Sequence, residues 1–222
     1  MQRIAALFPG QGSQKVGMAR DLFEASSDVR EIYERASEAI DFDLTAVTFD
    51  GPEEELTKTV NAQPALLVAS VSALTLLLKR GFEPWAAAGH SLGEYSALVC
   101  ARSMSLEDAV RAVRERGRLM YEAGNESPGT MAAVIGMEIQ EIIRTLETVE
   151  NGIVVAANQN SPAQTVISGE IDAVGTACEK LKEAGAKRAV PLPVSGAFHS
   201  PLMQEVADEF RAFKDKLLGV PA

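Results

Sequence analysis

The chain has 222 residues, 46% of them apolar and 23% charged, which suits one sizeable core or a core with an inserted subdomain and excludes a mini-protein that needs staples. Lys and Arg number 21 against 31 acids, a formal charge of −10, so a general affinity for nucleic acid or anionic lipid is excluded while a local basic patch stays open. The two cysteines, Cys100 and Cys178, form no CxxC and have no His beside them, which suggests neither a disulfide framework nor a metal site and fits a reducing compartment.

Arg3 to Phe8 is a short apolar run stopped by Pro9 and Gly10, a strand entering the loop Gly10-Gln11-Gly12-Ser13-Gln14. It is too short for a signal-peptide core. Asp28 to Ile40 has helical periodicity. Ala65 to Leu78 lacks charge and Pro, is too short to span a bilayer, and reads as a buried helix after a loop containing Asn61, Ala62 and Gln63. A soluble cytoplasmic protein is expected. Trp85 to Gly89 then reads as a small-residue strand and Leu92 to Cys100 as a helix, joined by His90 and Ser91.

Ser105 can cap the next helix with Asp108 three positions on, and that helix is expected to run to about Tyr121. At 100° per residue Leu106, Ala109, Val110, Val113, Gly117 and Met120 share one stripe, with Arg111, Arg114 and Arg118 opposite and Arg116 at the stripe's edge. A guanidinium at that edge is costly unless paired, either with an internal carboxylate or with a ligand. Gly124 to Gly129 looks like a linker. Beyond it strands at 130–135, 152–157, 165–168 and 188–194 and helices at 139–149 and 171–184 give β-α-β-β-α-β, the ferredoxin-like order. The fold expected is therefore α/β: a large subdomain over 1–125 and 196–222, re-entered near Ser195, with an inserted ferredoxin-like subdomain over 126–195. Pro201 to Leu218 is a last helix.

Gly89-His90-Ser91-Leu92-Gly93 fits G-x-S-x-G between a strand and a helix, the pattern of an α/β-hydrolase-like nucleophile elbow on a parallel sheet. There the serine sits in a strained turn, and the following helix aims its amides, that of Leu92 included, at a developing oxyanion. The alternative is a Gly-rich turn with a bystander serine. A serine nucleophile needs a base, and the only histidines are His90 and His199. Neighbours on an extended strand face opposite ways, so His90 is poorly placed and His199 is the better candidate, unless it is an ordinary loop histidine.

These segments, with Phe8-Pro9-Gly10-Gln11-Gly12-Ser13-Gln14, the continuation Glu94-Tyr95-Ser96-Ala97-Leu98, Arg116-Gly117 followed by Met120, and Ala197-Phe198-His199-Ser200, resemble the malonyl-CoA:acyl carrier protein transacylases over essentially the whole chain. The resemblance implies a malonyl-Ser91 intermediate with His199 as base, an oxyanion hole from the amides of Gln11 and Leu92, and Arg116 on the malonyl carboxylate. Gln63 and Asn160 match pocket positions, although Asn160 also suits an Asx-turn before Pro162. Phe198 matches a position that goes with malonyl rather than branched units. Malonyl-CoA and acyl carrier protein are the implied partners, in fatty acid or polyketide synthesis, with no metal and no cofactor beyond the thioester substrate. Lys187 with Arg188, or the helix arginines 111, 114 and 118, are candidate carrier contacts, if they are not simply a solvated face.

Members of the family continue past the point where this sequence stops, so its C-terminal part, with the group that orients His199, is expected to be absent, and a complementary C-terminal chain is a conceivable partner. Marginal stability is the corresponding expectation. Two other functions stay open: a serine esterase or thioesterase, which has little need of Arg116, and an inactive fragment that binds carrier protein.

Overall fold

Two short strands carry the G-x-S-x-G segment. In the computed structural model, which describes residues 3–194 and 196–219, β1 (Ala5–Phe8) pairs in parallel with β2 (Ala86–Gly89), Ala5 opposite Ala86 and Phe8 opposite Gly89. A parallel pair needs a crossover, and here it is helical: α1 (Arg20–Ala25), α2 (Ser27–Ile40), α3 (Leu44–Phe49), α4 (Glu53–Thr57) and α5 (Thr59–Lys79). After β2 come α6 (Gly93–Cys100) and α7 (Leu106–Glu126). Three of these helices, α1, α3 and α4, have five or six residues, too few for a periodic pattern. Their signals are local instead: Asp43 accepts from the Ala46 amide at 2.9 Å to cap α3, and Glu53, Glu54 and Glu55 sit at the positive end of α4.

The core around these helices follows the 3.6-residue period. Val29, Ile32, Tyr33 and Ala36 bury one face of α2 against α3 and α5, with Phe23, Tyr33 and Phe49 in mutual ring contact. Every member of the stripe expected on α7 is buried. Ser105 caps α7 as its spacing predicts, accepting from the Asp108 amide at 3.1 Å.

α5 begins at Thr59, so Asn61, Ala62 and Gln63 are helical rather than a loop. Pro64 lies inside the helix, where a missing N–H ordinarily costs about 3 kcal/mol. Arg114 offsets that here: its Nη1 donates at 2.9 Å to the Val60 carbonyl, the group Pro64 leaves without a helical donor. With 21 residues α5 is also long and apolar enough to cross a membrane, but most of the stretch is buried among its neighbours. One buried group on α5, the Ser72 hydroxyl, has no hydrogen-bond partner among the described residues. Ser72→Ala is expected to raise stability by about 1 kcal/mol in thermal or urea unfolding, because an unsatisfied buried hydroxyl is removed with little change of shape.

The second half is an antiparallel sheet in the order β4-β5-β3-β6, built from β3 (Gly129–Ile135), α8 (Ile139–Leu146), β4 (Val154–Ser161), β5 (Gln164–Glu170), α9 (Ile171–Glu183) and β6 (Arg188–Pro191). This is the ferredoxin-like topology. Ala132 and Val134 face α8 and α9, while Met131 faces the opposite way into a cluster with Met120, Val166, Phe198 and Met203. With both faces covered, β3 reads as an unbroken apolar run over 131–135. A 3-10 turn, Pro201–Met203, and α10 (Gln204–Leu217) follow.

The chain separates into two compact units: the described residues of Met1–Arg118 with those of Ala212–Ala222, and Leu119–Arg211. These boundaries differ from 125/126 and 195/196, and Ser195 itself lies outside the described residues. Both fall inside helices, α7 and α10, where no break in the helix marks them. Gly124 and Asn125, expected in a linker, belong to the last turns of α7, and it is Pro128, by disfavouring helix at Ser127, that punctuates its end.

Candidate active site

The elbow is formed by close backbone approach. Gly89 ends β2, Gly93 begins α6, and Ser91 between them adopts φ 52°, a left-handed conformation uncommon for a residue with a Cβ. A Cβ on Gly89 would lie 1.9 Å from the Gly93 carbonyl carbon, and one on Gly93 would lie 2.4 Å from the Phe8 carbonyl oxygen. The two glycines are therefore required by the turn itself. Leu92 fills the core with its side chain, and its amide, like that of Gln11, donates to no backbone carbonyl among the described residues. That is the state an oxyanion donor needs. The side chain of Gln11 is held by Thr59, Nε2 donating to Oγ1 at 3.2 Å.

Arg116 reaches the elbow serine. Its Nη2 donates to Ser91 Oγ at 3.0 Å and its Nη1 to Oε1 of the fully buried Gln63 at 2.8 Å. Among the described residues no carboxylate pairs with it, so the internal Glu or Asp that the sequence left open is not there. Burial lowers the guanidinium pKa from its ordinary value, with the charges of Tyr95 and Glu94 acting the other way. Burial also raises the Tyr95 phenol, against the pull of Arg116. A desolvated cation beside a serine hydroxyl, without a carboxylate partner among the described residues, is suited to an anionic substrate group.

Ser91, Gln11, Leu92, Gln63 and Arg116 thus share the first unit. His199, Phe198 and Asn160 belong to the second. His199 is exposed and, like Ser91, has positive φ, 59°. It stands between Phe198 and Ser200, whose hydroxyl donates to the Ala197 carbonyl at 2.6 Å and accepts from the Leu202 amide at 3.3 Å. Phe198 is 6% exposed and its ring is packed by Met120, Met131, Val166 and Met203. Asn160 is not in an Asx-turn. It is an exposed residue of β4 at a register shift between Gln159 and Ser161, and Pro162 opens the hairpin turn. At a sheet edge polar side chains keep their water while the backbone pairs, which is why Asn158 to Ser161 extend the strand.

The α7 arginines do not form a free basic face. Arg111 pairs with Asp108 at 3.2 Å and Arg118 with Glu115 at 2.7 Å. Arg114, expected to point outward, is partly buried, bonded to Val60 and Asn61 and stacked on Phe42. Pro64 was the available signal, since a proline inside a helix orphans the carbonyl four residues earlier. No group of three or more His, Cys, Asp or Glu side chains is arranged to hold a metal ion among the described residues.

A strained serine on a strand-to-helix turn, bracketed by close-packed glycines and open amides, defines the elbow class of acyl-handling site. Residues 6–217 match the family model of the acyl transferase domain, and the chain belongs to that family. It is 46% identical over 217 residues to the malonyl CoA-acyl carrier protein transacylase of Bacillus subtilis (strain 168), covering 97% of this chain and 68% of that protein. With the protein of the same name from Escherichia coli (strain K12) it is 49% identical over 211 residues, covering 94% and 68%. Among solved structures, a malonyl-transacylase in complex with its type II PKS acyl-carrier protein superposes with a TM-score of 0.92 at 46% identity, covering 96% of this chain and 69% of that one. An acyl carrier protein S-malonyltransferase from Vibrio cholerae gives 0.91 at 46% identity, covering 96% and 70%. None of these relatives is described as carrying a complementary C-terminal chain, and that expectation has no support in them.

Proposed function

We propose that the chain moves a malonyl group from malonyl-CoA to the phosphopantetheine thiol of acyl carrier protein through a malonyl-Ser91 intermediate. The observation that carries this reading is the Arg116 guanidinium, 3.0 Å from Ser91 Oγ and without a carboxylate partner among the described residues. Malonyl offers both halves of what such a pair needs, a thioester carbon for Ser91 and a free carboxylate for the planar guanidinium. In the first half-reaction Ser91 Oγ attacks the thioester carbon as His199 takes its proton, and the amides of Gln11 and Leu92 receive the oxyanion. The C–S bond then breaks and CoA leaves as the thiol, taking that proton. The second half-reaction runs the same steps in reverse with the carrier thiol as nucleophile, a ping-pong sequence without metal or redox cofactor. The free thiols of Cys100 and Cys178 support a reducing compartment such as the cytoplasm, and the reaction suits fatty acid or polyketide synthesis, one neighbour being the partner of a type II PKS acyl-carrier protein.

Intact-mass spectrometry after brief exposure to malonyl-CoA tests the reading. One malonyl adduct that passes to added carrier protein is the expected result. An adduct lost to water at the same rate with or without carrier makes the protein a thioesterase, and carrier binding without any adduct from a folded chain makes it an interaction module.

With the α7 arginines occupied, Lys187 and Arg188 are the remaining candidates for an acidic carrier, both exposed and in no ion pair among the described residues. Lys187→Glu with Arg188→Glu is expected to raise the KM for carrier protein roughly three- to tenfold at low salt and less at high salt, with loading from malonyl-CoA unchanged. Equal KM values at low salt would remove this pair from the docking surface.

A further inference from the structure

We propose that Arg114 is a positioning residue of the acyl site, replacing the hydrogen bond that Pro64 denies to α5 and so fixing the turn from which Gln63 orients Arg116 and Thr59 holds Gln11. The inference rests on the transferase reading above and assigns a part to a residue that touches neither substrate nor nucleophile.

α7 and α5 meet with almost no side chain between them. A Cβ on Gly117 would lie 2.7 Å from the Thr59 carbonyl oxygen and 2.8 Å from Val60 Cα. Arg114 and Arg116 leave α7 on either side of that contact. Arg116 reaches forward to Gln63 and Ser91. Arg114 reaches back, and one nitrogen, Nη1, donates at 2.9 Å to the Val60 carbonyl and at 2.6 Å to Asn61 Oδ1. The amide of Asn61 is oriented in turn by donating from Nδ2 to the Glu55 carbonyl at 2.8 Å. The Phe42 ring lies under the guanidinium, 4.3 Å from its centroid, and closes it from the other side.

The logic of the arrangement lies in Pro64. In an uninterrupted helix the residue at 64 would donate to the carbonyl at 60 and propagate the ladder through Gln63. Proline cannot, so the turn holding Thr59 to Gln63 is joined to the rest of α5 by one bond fewer than its neighbours. Gln63 must nevertheless present Oε1 to Arg116 within hydrogen-bond tolerance, and Thr59 must hold the Gln11 side chain whose own amide belongs to the oxyanion site. A half-buried cation is held in place when its donors are used, and partial burial already lowers the Arg114 pKa. Here its donors go to the carbonyl that proline orphans.

The test is a cycle between Arg114 and Pro64. Arg114→Met keeps an unbranched apolar stem and removes the donors, while Pro64→Ala restores an N–H to the Val60 carbonyl. Two readouts are taken on the full chain: amide hydrogen exchange at Asn61, Ala62 and Gln63, and the ratio of malonyl to acetyl loading on Ser91. Arg114→Met is expected to speed exchange there by roughly tenfold and to lower the malonyl to acetyl ratio by a similar factor, without loss of cooperative unfolding. Pro64→Ala alone is expected to load as the parent does, and in its background Arg114→Met is expected to cost less than about twofold. Arg114→Lys, which keeps the charge and one donor nitrogen, is expected to recover part of the ratio. Unchanged exchange in Arg114→Met, or a loss of selectivity undiminished by Pro64→Ala, overturns the proposal. If the parent chain never loads Ser91, the transferase reading falls and the selectivity claim with it, and the exchange data alone judge the clamp.

Discussion

Ser91→Ala is expected to eliminate the malonyl adduct, lowering loading by at least about a thousandfold, because no other group on the elbow supplies a nucleophile. The backbone at residue 91 should survive the change, since alanine carries the same Cβ at φ 52°. The variant loses the acceptor for Arg116 Nη2 as well as the nucleophile. Ser91→Gly provides the internal comparison. It lacks the hydroxyl equally but pays no steric penalty in the left-handed region, so it is expected to be more stable than Ser91→Ala by about 1 kcal/mol in urea unfolding while being equally inactive. Equal stability of the two variants would mean that the elbow relaxes once the hydroxyl is gone. Residual loading in Ser91→Ala would move the nucleophile elsewhere.

Arg116→Met is expected to separate recognition from chemistry. The guanidinium binds no internal carboxylate among the described residues, so its removal takes away a desolvated charge and also the donor to Gln63 Oε1. These effects oppose one another, and the change in stability is expected to stay within about 1 kcal/mol. Malonyl loading should fall by about a hundredfold or more, the loss that follows when one partner of a buried charged pair is truncated. Acetyl loading, which makes no such pair, should change little. Malonyl-CoA should stabilise the parent against thermal unfolding and the variant much less, since only the parent gains the anion contact. Equal losses for the two acyl donors would refute the role of Arg116 in reading the carboxylate.

The elbow was legible because its determinants are contiguous. Gly89, Ser91 and Gly93 lie within five residues, and the clash that requires each glycine is with backbone of the same turn or of the adjoining strand β1. Residues 129–191 were legible as β-α-β-β-α-β for a similar reason, each element being long enough to show its period. Less could be read where partners are distant. Pro64 suggested a loop before it, yet Asn61 to Gln63 are helical because Arg114, fifty-odd positions away, satisfies the carbonyl that proline leaves open. The same contact turned a residue assigned to the solvated side of α7 into a partly buried one. β4 outran its apolar segment because edge pairing with β5 asks nothing of side-chain polarity.

By itself the sequence determined the glycine-bracketed elbow around Ser91, the stripe that places Arg116 at an apolar edge, and the ferredoxin-like order, since all three rest on local spacing and helical or strand period. Only the tertiary structure decided that Arg116 reaches Ser91 and Gln63 and, among the described residues, no carboxylate, that Arg114 turns inward to Val60 and Asn61, and that the two units divide within α7 and α10. Those outcomes depend on which groups meet across long separations in the chain, where desolvation and hydrogen-bond geometry choose among partners that spacing alone leaves equivalent.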